Sequence, residues 1–147
     1  MHARFIREFV RHPARIGAIA PSSRALAREI CSGVDLETAP LAVEYGPGTG
    51  VFTREMLRRL RSGSRLLAIE QNPALAETAR RAAPAAEVVC DRVQRLPDLL
   101  AERGLAPSPV IVSGLPWAAF DEALQDRLLD ATLAGLAPGG RFATFAY

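Results

Sequence analysis

Two acids and three glycines stand where a polar, ring-bearing ligand could be held. Glu44 lies near the end of the apolar run Leu41-Ala-Val-Glu-Tyr45, and Gly46, Gly48 and Gly50 follow at alternate positions. Glycine permits a tight turn and lets a ligand lie against bare backbone. A helical pattern then starts at Val51, and the first N–H groups of a helix are free to meet a ligand. Strand, glycine loop and helix in this order form the first unit of a nucleotide-binding α/β sheet. Glu70 ends a second apolar run, Arg65 to Glu70, 20 residues past Gly50. A carboxylate there accepts two hydrogen bonds from the vicinal diol of a ribose. Asp91 follows a third run, Ala86 to Cys90, where it serves an adenine amino group, the next helix as N-cap, or both.

The spacing excludes two common nucleotide sites. A dinucleotide fingerprint needs a third glycine where Val51 stands, and a P-loop needs a lysine, which this chain lacks entirely. A fourth run, Pro107 to Ser113, ends in Ser113-Gly-Leu-Pro-Trp117. The reactive centre of such a sheet lies at the strand C-termini beside the switch point, which the first and fourth strands flank. Tyr45, Ser113 and Trp117 are therefore the catalytic candidates, with the carbonyls of Gly114 and Leu115. Gly114 allows close approach of backbone, Pro116 stiffens the turn and Trp117 supplies a wall. Ser22 and Ser23, before a helix expected at Ser23–Ile30, read first as N-caps.

The elements that must position these residues alternate in type. Helices are expected at 52–61, 74–83, near 94–103 and at 119–136. A fifth strand at Arg141–Tyr147 follows the breaker Ala137-Pro-Gly-Gly140. The chain reads as one compact unit: an N-terminal segment, residues 1–34, and a sheet domain, residues 35–147. The predicted fold is a doubly wound α/β sheet of five parallel strands in the order 3-2-1-4-5. Apolar residues at 49% and charged residues at 23% are an ordinary globular balance. No apolar run approaches the ~20 residues of a membrane span. Cys31 and Cys90 form no CxxC pattern, and with His2 and His12 give no metal-ligand spacing, so no metal site is expected. They suggest reduced thiols in a cytosolic protein.

The net charge of +2 is unevenly spread. Residues 1–30 hold six arginines against two glutamates, hence +4, and residues 31–147 hold twelve arginines against fourteen acids, hence −2. Residues 3–12 read as a short amphipathic helix, with Phe5, Ile6, Phe9 and Val10 on one face and Arg4, Arg7, Glu8 and Arg11 largely on the other. Such a helix suits an anionic bilayer surface, or caps the fold with Phe5 and Phe9 in its core.

Glu44-Tyr-Gly-Pro-Gly-Thr-Gly50 resembles the E-x-G-x-G-x-G motif of class I S-adenosylmethionine-dependent methyltransferases. Leu136-Ala-Pro-Gly-Gly-Arg141 is similar to their segment before the fifth strand. Two further pieces resemble bacterial phospholipid N-methyltransferases: Gly17-Ala-Ile-Ala-Pro-Ser-Ser23, like a GA-x-x-PSS loop, and Ser113-Gly-Leu-Pro116, like an SGLP motif. The ribosomal RNA adenine dimethyltransferases share the first motif, but their Q-N-F-L and N-L-P-Y type segments are missing. The resemblance runs from about Phe5 to Tyr147. It implies S-adenosyl-L-methionine as cofactor, held by Ser22, Ser23, Glu44, Gly46, Gly48, Thr49, Gly50, Glu70, Gln71, Asp91, Arg92, Ser113, Gly114 and Leu115. It implies a phospholipid head-group amine as acceptor, phosphatidylethanolamine and its methylated forms. The fold so implied usually has seven strands, and the last two are not seen, so another copy of the chain could pair with the edge of strand five.

Displacement at a sulfonium needs orientation more than covalent catalysis. The acceptor amine must shed its proton to attack, and no side chain stands out as the base. The resulting expectation is an enzyme peripheral to the cytoplasmic face of the membrane, docked through residues 3–12, with nucleic acid not a partner. The alternatives are an adenine-dimethyltransferase-like enzyme using the arginines on phosphates, or a cofactor-binding module without catalysis.

Overall fold

The computed structural model describes residues 6–11 and 24–146, with backbone only at 6–11, 145 and 146. Six strands, β1 (Ile6–Arg11), β2 (Leu41–Tyr45), β3 (Arg65–Glu70), β4 (Glu87–Cys90), β5 (Ser108–Ser113) and β6 (Leu136–Ala146), make one sheet in the order β1-β6-β5-β2-β3-β4. Every pairing is parallel. The five strands expected from the sequence are β2 to β6, in the expected order. Five helices accompany them: α1 (Arg24–Ser32), α2 (Val51–Arg59), α3 (Pro73–Ala82), α4 (Leu96–Glu102) and α5 (Glu122–Gly135).

The sixth strand corrects the sequence reading. Ile6–Arg11 is not helical but extended, paired from Ile6 with Arg141 to Arg11 with Ala146. A free β6 edge would present unpaired N–H and C=O groups, and pairing satisfies them. Ile6, Phe9 and Val10 are also good strand residues, so tertiary context overrides a short helical periodicity. The same pairing occupies the edge of strand five, which was expected to stand open to a second copy. Residues 3–5 and 12 of the expected helix, and the 15–23 loop with Ser22 and Ser23, lie outside the described residues.

A second correction concerns Ala137–Gly140, expected to precede the last strand. It lies inside β6 as a bulge: Ser108 pairs with Leu136, Val110 already with Arg141. Bulges of this kind re-aim a strand without ending it.

Strand alternation sorts the side chains onto two faces. Ala42, Leu66, Val110, Val112 and Ala143 meet Leu26, Ala27 and Ile30 of α1 and Phe52 and Met56 of α2. Val43, Tyr45, Leu67, Ile69, Ile111 and Phe142 meet Leu96, Leu99 and Leu100 of α4 and Leu128 of α5. Small Ala76 and Ala79 bring α3 close to Ala68 and Val88. The covered parallel strands are apolar on both faces, as such sheets require. Polar residues set the helix starts: Asn72 Oδ1 accepts from the N–H groups of Ala74 and Leu75, with Pro73 at the first position of α3. Asp121 likewise accepts from the Leu124 N–H at the start of α5. Among the described residues no helix is long and apolar enough to cross a membrane.

Candidate functional site

The loop from β2 to α2 is shaped by backbone that only glycine adopts freely. Gly46, Gly48 and Gly50 have φ of 66°, 53° and 87°. A Cβ on Gly46 would stand 2.9 Å from Leu115 Cδ2, so no side chain fits between the two loops. Those loops are tied together: the Gly114 N–H donates to the Tyr45 carbonyl at 2.8 Å, and the Gly46 N–H to the Ile69 carbonyl at 2.9 Å.

Glu70, at the end of β3, is 9% exposed. One carboxylate oxygen accepts from the Gly48 N–H at 3.3 Å, the other from the Asn72 N–H at 3.1 Å. These bonds fix the carboxylate at the strand tip beside the glycine loop. Asp91, just past β4, accepts from the Arg92 N–H at 2.7 Å and pairs with Arg95 at 2.5 Å. The bond from the Arg92 N–H, followed by the Arg95 guanidinium, holds the carboxyl below the usual carboxylate range.

A cleft of about 120 Å³ opens between these tips and α5. It brings together Gly46, Glu70, Gln71, Asp91 and Leu115 of the expected set. It also gathers Ile69, Val93, Gln94, Phe120, Leu124 and Leu128, which sequence reasoning did not single out. The apolar ones obey the periodicity of core residues, which hid them. The cofactor implied by the sequence motifs fits this arrangement. Glu70 would take the ribose diol, the glycine loop the backbone-facing part, and Asp91 with the apolar lining the adenine.

The remaining candidates lie around the cleft rather than along it. Glu44 is 1% exposed and accepts from Thr53 Oγ1 at 2.5 Å. Burial pushes its pKa up to about 8, the Thr53 bond opposes this and the charge of Glu70 adds to it. Glu44 is therefore largely protonated at neutral pH. Thr49 and Arg92 are exposed at the rim, and Gly50 is buried at the start of α2.

Tyr45 is a correction. Its ring is fully buried, its hydroxyl pairs with Thr132 Oγ1 at 2.8 Å, and burial raises its pKa. Alternation along β2 turns Tyr45 into the core under α5, beside Thr132 and Phe142, so it is a core residue rather than a catalytic one.

Ser113 is also buried, and its hydroxyl oxygen accepts from the Leu115 N–H at 3.1 Å and the Trp117 indole N–H at 3.0 Å. It is thus a positioning residue that folds the 113–117 turn. Gln125 of α5, another residue the sequence reading passed over, donates from Nε2 to the carbonyls of Trp117 and Phe120 at 2.8 and 3.0 Å. Trp117 packs edge-on to Phe142 with ring centroids 5.8 Å apart. Two polar clamps and one aromatic contact therefore hold a half-buried indole beside the cleft. An aromatic wall of this kind excludes water and suits a site where positive charge develops. Among the described residues no cluster of His, Cys, Asp or Glu could hold a metal ion.

Comparison with known proteins agrees with this geometry. No protein-family model matches the chain. An ornithine lipid N-methyltransferase from Singulisphaera acidiphila is 35% identical over 141 residues, covering 94% of this chain and 73% of the relative. Among solved structures, TrmN from Thermus thermophilus superposes with a TM-score of 0.68 at 24% identity over 89% of this chain. The O-methyltransferase of Bacillus cereus, solved with S-adenosylhomocysteine, gives 0.62 at 19% identity over 87%. The chain spans 39% of the former structure and 56% of the latter, less than two thirds of each. These likenesses show a fold shared with solved methyltransferases. The sequence relationship is the closer tie, and by it the chain belongs to the methyltransferase family of the ornithine lipid N-methyltransferase.

Proposed function

We propose that this chain transfers a methyl group from S-adenosylmethionine to the head-group amine of a membrane lipid. The relationship to the Singulisphaera enzyme carries the reading. Two head groups present a suitable primary amine: ornithine lipid, on which that relative acts by name, and phosphatidylethanolamine, which the GA-x-x-PSS and SGLP motifs suggest. The cofactor supplies an electrophilic methyl group on a sulfonium. The protein's own residues bind, orient and exclude water. Glu70, Asp91 and the glycine loop form the cofactor side of the cleft. Ser113 and Gln125 hold Trp117, whose face accommodates the positive charge that forms on the acceptor nitrogen. The carbonyls of Gly114 and Leu115 are further acceptors for that charge. Ser22, Ser23, Thr49 and Arg92 complete the proposed cofactor set from outside the cleft lining. The enzyme works at the cytoplasmic face of the membrane, as a peripheral protein.

The test is labelled methyl transfer into defined lipids. Incorporation into ornithine lipid or phosphatidylethanolamine supports the reading and separates the two. Incorporation into ribosomal RNA with none into lipid would sink it, and S-adenosylhomocysteine binding without transfer to any acceptor would favour a module without catalysis.

A further inference from the structure

Of the segment first assigned to the bilayer, residues 3–12, the described part Ile6–Arg11 supplies an edge strand. A second cationic surface among the described side chains lies elsewhere. A cleft of about 280 Å³ lies between α1 and α2, on the sheet face opposite Trp117. Arg24 and Arg28 line one wall, Arg54 and Arg58 the other, with Ala27, Val51 and Glu55 between.

Glu55 is already engaged, with Arg58 at 3.2 Å and Arg59 at 2.9 Å. Arg24, Arg28 and Arg54 form no ion pair with any described acid, and all three are exposed. Each wall thus repeats a like charge at i and i+4, an arrangement that repels itself on a helix. Three exposed arginines line this cleft, and its one acid, Glu55, is engaged by Arg58 and Arg59, so the three are available to the oxygens of a phosphate, which arginine grips through paired donors. Val51 also fixes where the cleft lies, because it directly follows Gly50 of the glycine loop. The cleft therefore opens at the same end of the sheet as the cofactor cleft.

We propose that the arginine cleft between α1 and α2 docks the protein on a bilayer by taking the phosphate of an anionic phospholipid. The inference rests on the lipid reading above for its choice of partner. Docking there turns the cofactor-bearing end of the sheet toward the membrane, where an acceptor head group is met. A bilayer is favoured over a nucleic acid because the cationic surface is one short cleft, while residues 31–147 carry net charge −2.

The experiment is co-sedimentation of the full chain with vesicles of phosphatidylcholine alone or mixed with phosphatidylglycerol. The wild type is compared with the triple variant Arg24→Gln, Arg28→Gln, Arg54→Gln. A matched control, Arg61→Gln, Arg81→Gln, Arg127→Gln, removes the same charge from other exposed positions. Each cation near an anionic surface contributes enough that losing three weakens vesicle binding roughly a hundredfold. The control should lose less than about tenfold by the same reasoning, because its arginines are scattered.

S-adenosylhomocysteine affinity, measured alongside, should be the same in all three proteins, which shows that each is folded. Equal vesicle binding by wild type and triple variant overturns the proposal, as does an equal loss in the control. Competition of wild-type binding by inorganic phosphate at low concentration would make this a free-phosphate site. Arginine-dependent binding of random RNA but not of vesicles would make the partner a nucleic acid. A protein that binds vesicles through this cleft but methylates no lipid would leave the docking inference standing and remove the substrate reading.

Discussion

Glu70 uses both carboxylate oxygens on backbone N–H groups, so it shapes the loop as well as lining the cleft. Glu70→Ala should weaken S-adenosylhomocysteine binding by roughly ten- to a hundredfold, the worth of charge-assisted hydrogen bonds. Titration calorimetry reads the loss, and an unchanged affinity would place the ribose elsewhere. Glu44 offers a pH test. Burial pushes its pKa up to about 8 in the folded protein from an ordinary 4.5, so the folded state holds the proton more tightly. Stability from this group is full below about pH 4.5, declines as pH rises and is gone above about 8. Thermal melts from pH 5 to 9 should show that decline, and Glu44→Gln should flatten it. Ser113→Ala removes the acceptor of two hydrogen bonds and should cost ~1–3 kcal/mol of stability. Methyl transfer should fall more than cofactor affinity, because the variant loosens the Trp117 turn. The glycines and Glu70 were legible in the sequence because their chemistry is local. Phe120, Leu124 and Leu128 were not, since a cleft-lining residue and a core residue carry the same periodic signature. Tyr45 could have been judged better: it neighbours Glu44 on one strand, and alternation sends the two to opposite faces.

Among the elements, the glycine loop is the least tolerant of change. Gly46→Ala would combine a left-handed φ with a Cβ contact of 2.9 Å on Leu115. The backbone term alone costs roughly 1–2 kcal/mol. The variant should lose cofactor binding while keeping its helical circular dichroism, because the sheet core does not depend on that turn. The boundaries of α3 were readable to within a residue: expected at 74–83, it runs Pro73–Ala82 behind the Asn72 cap. The N-terminal strand was not readable. Its residues carry a weak helical period, and what decides between helix and strand is the edge of β6, far away in sequence. The bulge at Ala137–Gly140 was missed for a related reason, since Pro and Gly usually end a strand rather than bend within it.

At the scale of the whole molecule, the parallel sheet and its strand order followed from alternating element types and short connections, which leave few topologies open. What the sequence could not announce was that β6 would find its neighbour inside the same chain. Deleting residues 1–11 strips that neighbour from β6. The truncated protein should self-associate with rising concentration, as sedimentation velocity would show, whereas the full chain should not associate through that edge. The two clefts also become intelligible at this scale, because they lie on opposite faces of the sheet and meet at its glycine-loop end.

The pairing of Ile6 with Arg141 has a consequence for how the protein is made. Roughly 135 residues separate the partners, so this contact closes the longest loop in the fold. During synthesis β1 leaves the ribosome before β2 to β5, yet its neighbour in the described sheet, β6, follows only after them. The nascent chain can assemble β2 to β5 around their helices while β1 waits for β6 to appear. Completion of the sheet is then a late event, slow by the measure of sequence separation. For that interval the first strand is free to meet whatever anionic surface lies close to the site of translation.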